Sequence, residues 1–390
     1  MFSARLLVFA IRRVFLYLPY SSFYLMPSSP PNFQNFLNLD EFETAARLLL
    51  SPMAHAYFAG GACDQITLRE NISSWNSIKL WPRILQGVAN PDLTTTLFDH
   101  SFALPFFPAP VAMLKLAHPQ GELAVARAMN QLTLPYFAST MATTSLEDVA
   151  QETKSTTAYF QLYCFKDLAL TKSLIQRAEQ AGFKGLVVTV DAQSLGKREA
   201  DIRHEFHLPT PFKLENLDNQ SNLALHAAKG SGAERVSAHF DTSLDWKSLE
   251  AILADTKLPW AIKGVLHPED ATIAASLGAK AIFISNHGGR QLDGVPTALE
   301  VLPLFAKVLK GKTEIFVDGG IRRGTDIIKA ILLGANGVLL GKPMVWALAV
   351  GGEAGVLKMM QILEDELRLG MCLLGCSSLK NLDNRYLFNR

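Results

Sequence analysis

From about residue 104 onwards, two hydrophobic patterns alternate along the chain. Short runs rich in Val, Ile, Phe and Ala are separated by longer stretches whose apolar residues recur at three and four spacing. The runs are FFPAPVA (106–112), PYFAST (135–140), AYFQLY (158–163), GLVVTVD (185–191), PWAIKGV (259–265), AIFISNH (281–287), EIFVDGG (314–320) and GVLLGKP (337–343). Between them GELAVARAMNQL, TKSLIQRAEQAG, PEDATIAASLGA and GTDIIKAILLGA read as amphipathic helices, several closed by glycine. Strands this uniformly apolar are covered on both faces, which implies a parallel sheet wrapped by helices. Eight such units closing on themselves predict an α/β fold of the (β/α)8 TIM-barrel type. An open doubly wound sheet is the alternative, but no G-x-G-x-x-G follows a first strand here.

Ahead of the barrel, LDEFETAARLLLSPMAHAYFAGG keeps helical spacing up to Gly60 and Gly61 and predicts an N-terminal helical cap. One crossover breaks the rhythm: 67 residues, 192–258, separate the fourth run from the fifth. Its polar part, 203–236, is rich in Asn, Ser and Gly and predicts a lid-like insertion over the catalytic face, mobile in its middle. The barrel domain is expected over 36–382, with 1–35 as an N-terminal extension outside the fold and 383–390 as a C-terminal tail.

At 390 residues and 49% hydrophobic, the chain can bury a large core. Its 37 Lys and Arg balance 36 Asp and Glu, and no basic stripe runs along it, so nucleic acid is not an expected partner. Cys63, Cys164, Cys372 and Cys376 form no C-x-x-C pair, and no His or acid pair accompanies Cys372 and Cys376. They read as buried thiols in a reducing compartment, with no metal site. The opening MFSARLLVFAIRRVFLYLPYSSFYLM has no acidic residue, and Arg12 and Arg13 cut its apolar run below spanning length. Residues 1–25 admit three readings: an organellar presequence, a membrane-surface anchor, or an extension upstream of Met26, the last preferred. The terminal YLFNR lacks a Ser-Lys-Leu peroxisomal signal, and a cytoplasmic location is expected.

Barrels of this kind carry their chemistry at the C-terminal ends of the strands. Those ends are polar here: Gln161 and Tyr163, Thr189 and Asp191, Lys263, then Ser285 and His287. After the seventh and eighth strands, VDGGIRRG and LLGKP set glycines beside Arg322, Arg323 and Lys342, the makings of a phosphate site at helix starts. That pocket suits either a phosphorylated substrate or a phosphate-bearing cofactor.

ISNHGGRQLDG (284–294), with TVDAQSLGKREAD upstream and FVDGGIRRGTDIIKAILLGANGVLLGKP downstream, closely resembles the FMN-dependent 2-hydroxy acid oxidase family, which includes glycolate and lactate oxidases. The likeness runs from about Leu39 to Leu382 and takes in YFAGGACDQITLREN, APVAMLKLAHPQGE and YFQLYCFKD. It implies FMN held by Pro110, Val111, Ala112, Ser139, Gln161, Thr189, Lys263 and Ser285. The phosphate end would lie at Asp318, Gly319, Gly320 and Arg322 and at Gly341 and Lys342. Lys263 would stabilise negative charge on the reduced ring.

The resemblance further implies that Arg290 and Arg198, helped by Tyr57, hold the carboxylate of a small 2-hydroxy acid, which an arginine fork reads bidentately. Tyr163 would bond the reacting oxygen, His287 would be the base, and Asp191 would stabilise the imidazolium. With no fused haem domain, dioxygen giving hydrogen peroxide is the expected acceptor, a quinone the rival. A homotetramer or larger assembly is implied.

Three positions depart from the family pattern. Val111 stands where many members have Thr and Lys342 where they often have Arg, both compatible with a flavin site. Met141 stands where plant glycolate oxidases carry Trp beside the substrate's second carbon. A flexible thioether there leaves room for a methyl or larger group, which favours L-lactate over glycolate.

Overall fold

The computed structural model describes residues 32–217, 237–309 and 311–388. A hairpin of β1 (Thr95–Leu97) and β2 (His100–Phe102) precedes the barrel. The barrel strands are β3 (Phe106–Pro108), β4 (Tyr136–Ser139), β5 (Ala158–Leu162), β6 (Leu186–Thr189), β7 (Trp260–Val265), β8 (Ala281–Ile284), β9 (Glu314–Asp318) and β10 (Gly337–Leu340). Each lies within one of the eight predicted runs.

All neighbours pair in parallel, in the order β3-β10-β9-β8-β7-β6-β5-β4. Consecutive strands β3 and β4 flank the seam of a sheet nearly closed into a barrel. Every residue of β3, β4, β5, β6, β8 and β10 is buried, as strands covered on both faces require.

Rings fill the barrel. Phe137 meets Tyr159 at 5.3 Å and Phe283 at 5.9 Å between centroids, and Phe283 stacks on Phe316 at 5.3 Å. The hairpin closes the end opposite the polar rim: Phe98 lies 4.8 Å from Tyr159 and Phe102 5.4 Å from Phe107. Its turn puts Phe98 and Asp99 at φ 52° and 64°, the left-handed pair of a tight hairpin. Glu314, at the start of β9, accepts from the Phe98 amide at 2.9 Å and the Thr96 hydroxyl at 2.6 Å and so fixes this turn.

The N-terminal cap is two helices, Leu39–Leu49 and Pro52–Ala59, where one continuous helical pattern was expected. Pro52 cannot continue the first helix but suits the first turn of a second, and the Ser51 hydroxyl accepts from the Ala54 amide at 3.2 Å to cap it. The domain boundaries also move outwards from 36 and 382. Phe33, in the turn Phe33–Asn35, packs against the core, as does the C-terminal segment, where Tyr386 is buried and Leu80 bridges Leu387.

Of the expected lid, residues 218–236 lie outside the described residues, but 203–217 are folded onto the barrel. Phe206, Leu214 and Leu217 are buried, and the Asn216 side chain donates to the carbonyls of Ser139 and Thr140 while accepting from the Leu146 amide. Among the cysteines, Cys164 and Cys376 are buried as expected, but Cys63 is exposed. No helix among the described residues is long and apolar enough to cross a membrane.

Glu122, fully buried, organises the loop leading out of β3. Its carboxylate accepts from the amides of Leu114 and Thr143 and from the hydroxyls of Thr143 and Thr144. Deleting it strands several buried donors, each costing about 1–3 kcal/mol. Glu122→Ala is therefore expected to lose at least about 3 kcal/mol of unfolding free energy in urea titration, and a loss under about 1 kcal/mol would contradict this account.

Candidate active site

The polar strand ends converge on one cavity above the barrel. Tyr57, Pro110, Val111, Ala112, Ser139, Met141, Gln161, Tyr163, Thr189, Arg198, Lys263, His287, Arg290, Asp318, Gly319, Gly320, Arg322, Gly341 and Lys342 all line it. Asp191 and Ser285, also expected in the site, stand one layer behind. The Asp191 Oδ1 lies 2.9 Å from His287 Nδ1, and the Ser285 hydroxyl accepts from Lys263 Nζ at 2.8 Å.

Backbone turns make this possible. His287, Gly288 and Gly289 adopt φ of 58°, 66° and 73°, three left-handed residues in succession after β8, which swing the imidazole off the strand axis. β7 is irregular between Lys263 and Val265, and Gly264 sits at φ 101°. A Cβ at Gly264 would fall 2.4 Å from Asp191 Cγ, so glycine opens the space that the carboxylate occupies. Burial alone would raise the Asp191 carboxyl, but the His287 imidazole, its hydrogen bond and Lys263 hold it below the ordinary carboxylate range.

Across the barrel top, Gln161 accepts from the Ser139 hydroxyl at 3.1 Å and donates to the Thr189 hydroxyl at 3.0 Å, so its amide is oriented by two neighbouring strands. Lys263 Nζ sits between Ser285 and Asp318 Oδ2, the latter at 2.7 Å.

The two expected carboxylate-binding arginines are partly committed to the protein. Arg290 donates one terminal nitrogen to the carbonyls of Tyr57 and Gly60, and its carbon lies 5.0 Å from the centre of the Tyr57 ring. Arg198 donates Nε to the Arg290 carbonyl at 3.3 Å and a terminal nitrogen to Gln291 at 3.2 Å. Burial, then the nearby Arg290 charge, pushes Arg198 down to about 10, which leaves it cationic at neutral pH. Burial also lowers Lys342 well below the usual lysine range, with Arg290 and Arg322 adding to the effect. Arg322 reaches Glu43 at 3.1 Å, so the helical cap meets the cavity at its Arg322 end. Tyr163 is pushed upwards, by burial first and Asp191 next, and stays a phenol hydrogen-bond donor.

Sequence reading did not single out three residues that hold this arrangement together. Asn71 and Asn286 exchange side-chain hydrogen bonds at 2.9 and 2.8 Å, fixing the helix Ile66–Ser73 against the β8 turn. Gln291 ties the loop 194–198 to the site: it donates to the carbonyls of Asp191 and Ser194 and accepts from the Gly196 amide and Arg198. Asn286 and Gln291 flank His287 in the motif itself, and that proximity was the available signal.

A barrel with a proton acceptor, paired guanidiniums and two glycine turns feeding helix starts is equipped to hold a phosphate-bearing group beside an acid substrate. The chain belongs to the FMN-dependent dehydrogenase family, whose pattern it matches over residues 46–389. It is 45% identical over 356 residues to an L-lactate oxidase from Nostoc sp., covering 90% of this chain and 98% of that one. A glycolate oxidase from Spinacia oleracea is 43% identical over 351 residues, covering 90% and 95%. Among solved structures, a mandelate oxidase with (S)-4-hydroxymandelic acid superposes with a TM-score of 0.84 at 37% identity, covering 90% of this chain and 98% of that one. These relatives define an FMN-dependent 2-hydroxy acid oxidase family with FMN as its cofactor.

The residues present fit that cofactor. Asp318 lines the cavity, and its Oδ1 is buried with no partner among the described residues, an acceptor left for a bound group. Gly319 and Gly320, at φ 100° and 78°, form a concave turn leading towards the helix Gly324–Leu332, and Gly341 caps the helix that starts at Lys342. A Cβ at Gly320 would lie 1.7 Å from the Asn71 carbonyl oxygen. Gly320→Ala must therefore distort the turn, and protein purified with this change is expected to keep less than about a tenth of the wild-type flavin absorbance. Full flavin content in a folded Gly320→Ala protein would rule out this turn as part of the cofactor site.

Proposed function

We propose that this protein oxidises a small L-2-hydroxy acid to the 2-oxo acid, with L-lactate favoured over glycolate and dioxygen the final acceptor, giving hydrogen peroxide. The 2.9 Å contact between His287 Nδ1 and Asp191 carries the reading. With Nδ1 turned to a carboxylate, the neutral imidazole keeps its lone pair on Nε2, the atom left to accept a substrate proton. Asp191 then stabilises the imidazolium that forms.

FMN, when bound, supplies the two-electron acceptor. Around it the chain's own groups divide the work. The guanidinium nitrogens that Arg198 and Arg290 do not spend on the protein hold the substrate carboxylate, with Tyr57 beside them. The Tyr163 phenol donates to the oxygen that becomes the carbonyl. Lys263, fixed by Ser285 and Asp318, would supply a positive charge to stabilise the reduced cofactor.

The test is direct. Purified protein is expected to be yellow, to bleach with L-lactate under anaerobic conditions and to release peroxide in air; a protein that takes up FMN yet oxidises no 2-hydroxy acid overturns the proposal. His287→Gln should keep its flavin and lose about 10²–10⁴-fold in turnover, whereas undiminished turnover would remove His287 from the base role.

Met141, buried in the cavity wall, supports the preference for lactate. A thioether leaves space where an indole would not, and each buried methyl is worth about 0.8 kcal/mol, roughly a four-fold factor. Met141→Trp is expected to lower kcat/KM for L-lactate relative to glycolate by at least that factor. An unchanged ratio across glycolate, L-lactate and a longer 2-hydroxy acid would place the selectivity elsewhere.

A further inference from the structure

The two tyrosines that face the substrate share an arrangement. Among the described residues neither phenol oxygen has a hydrogen-bond partner; the bonds that tie each tyrosine to its surroundings run through its backbone, the Tyr57 carbonyl accepting from Arg290 and the Tyr163 amide donating to Thr140. Their rings are set by ring contacts instead. Tyr57 stacks on Phe206 with centroids 4.1 Å apart and planes 9° from parallel. Tyr163 stacks on Phe240 at 4.6 Å and 25°.

Both phenylalanines come from the long crossover between β6 and β7, one from each of its described ends. Phe206 is 1% exposed and follows the short helix Glu199–Arg203, its amide bonded to the Asp201 carbonyl at 2.9 Å. Phe240 lines the cavity itself and is clipped to the chain just beyond β5. Phe240 bridges Phe165, the Lys166 amide donates to the His239 carbonyl, and the Asp241 amide donates to the Cys164 carbonyl, each at 3.0 Å. Phe165 adds an edge contact to the Phe240 ring at 5.4 Å and 71°. The stretch that follows Tyr163 in the chain is thus bound to the stretch that stacks on Tyr163.

We propose that Phe206 and Phe240 are positioning residues of the reaction. Phe206 sets the tilt of Tyr57 on the carboxylate side of the substrate, and Phe240 sets that of Tyr163 on the hydroxyl side. This rests on the function proposed above. A phenol oxygen lies far from its Cα, so a small change in ring tilt moves it by a large part of a hydrogen bond's tolerance, and such bonds weaken steeply with angle. Aromatic pairing of this kind is worth enough to hold one tilt against thermal motion. The crossover therefore reaches the chemistry through its two roots, whatever its middle does.

The test uses the holoenzyme and variants at Phe206 and Phe240, alone and combined with changes at the two tyrosines. Phe206→Leu is expected to raise KM for the best 2-hydroxy acid about 10-fold with kcat little changed. It should also weaken, by a similar factor, binding of oxalate, a non-oxidisable mimic of the planar acid end, followed by its perturbation of the flavin spectrum. Phe240→Leu is expected to lower kcat about 10-fold, and Phe240→Tyr, which keeps the ring, to restore most of it. If Phe206→Leu does not retain flavin, the milder Phe206→Met takes its place with the same expected direction.

The deciding readout is coupling. In a Tyr57→Phe background, Phe206→Leu should lose most of its effect on KM and oxalate binding, and Phe240→Leu should lose most of its effect on kcat in a Tyr163→Phe background. Equal effects in both backgrounds, or wild-type constants in variants with normal flavin content, overturn the inference. A wild-type protein that oxidises none of the acids brings down the functional reading itself, and this inference with it.

Discussion

Positive charge gathered in one cavity is the constraint around which the rest of the rim is arranged. Arg198, Arg290, Arg322 and Lys342 all line it, and the lowered proton affinities of Arg198 and Lys342 record both burial and mutual repulsion. Like charges in a poorly solvated space carry a desolvation and repulsion cost that incoming anions offset. Glu43 and Asp40 answer Arg322 from the helical cap, but they are on the outer side of the site. What remains favours anionic ligands, and the proposed function supplies two: a phosphate near the helix starts and a carboxylate near the paired arginines. On that proposal, FMN and an acid substrate would meet one electrostatic requirement at two places.

Delivering those side chains demands backbone that ordinary residues resist. The run His287, Gly288, Gly289 in the left-handed region, the bulge at Gly264 and the turn at Gly319 and Gly320 all occur at C-terminal strand ends, while the opposite end of the barrel is closed by packed rings. A left-handed histidine costs on the order of 1–3 kcal/mol and persists only where its surroundings over-determine it. Here the Ser285 hydroxyl accepts the His287 amide, Asp191 takes Nδ1, and the Asn71–Asn286 pair locks the turn beneath. Strain of this kind aims Nε2 into the cavity instead of along the strand.

Legibility in the sequence followed the range of the interactions. Strand burial is a property of short apolar runs, so every barrel strand could be read from its own residues, and the polar ends of β5 to β8 marked the rim. The hairpin β1–β2 was not legible: TTLFDHSF has no glycine or asparagine to announce a left-handed turn, and Glu314, more than two hundred residues away, supplies the bond that permits it. The Ser51-Pro52 break lay in plain view but was outweighed by helical spacing on both sides. Residues 203–217 read as part of a polar lid because composition does not reveal that Phe206, Leu214 and Leu217 each find a buried place. Asp191 and His287 were readable as a pair from the family motif, but their spacing and the glycine that makes room for them required coordinates.

A division follows from where these groups sit. His287, its carboxylate partner Asp191 and Lys263 are carried on β6, β7 and β8 or the turns directly above them, interlocked by hydrogen bonds that tolerate little displacement. Met141 is placed differently: it follows β4 and meets the cavity with apolar surface. An apolar wall discriminates by volume, a weak lever of about 0.8 kcal/mol per carbon, and can be resurfaced without disturbing a hydrogen-bonded centre. Relatives named for lactate, glycolate and mandelate can therefore share one barrel at comparable identity. On the proposed function, the chemistry is held by the strand ends, and the choice of acid falls to apolar side chains such as Met141 that arrive from between them.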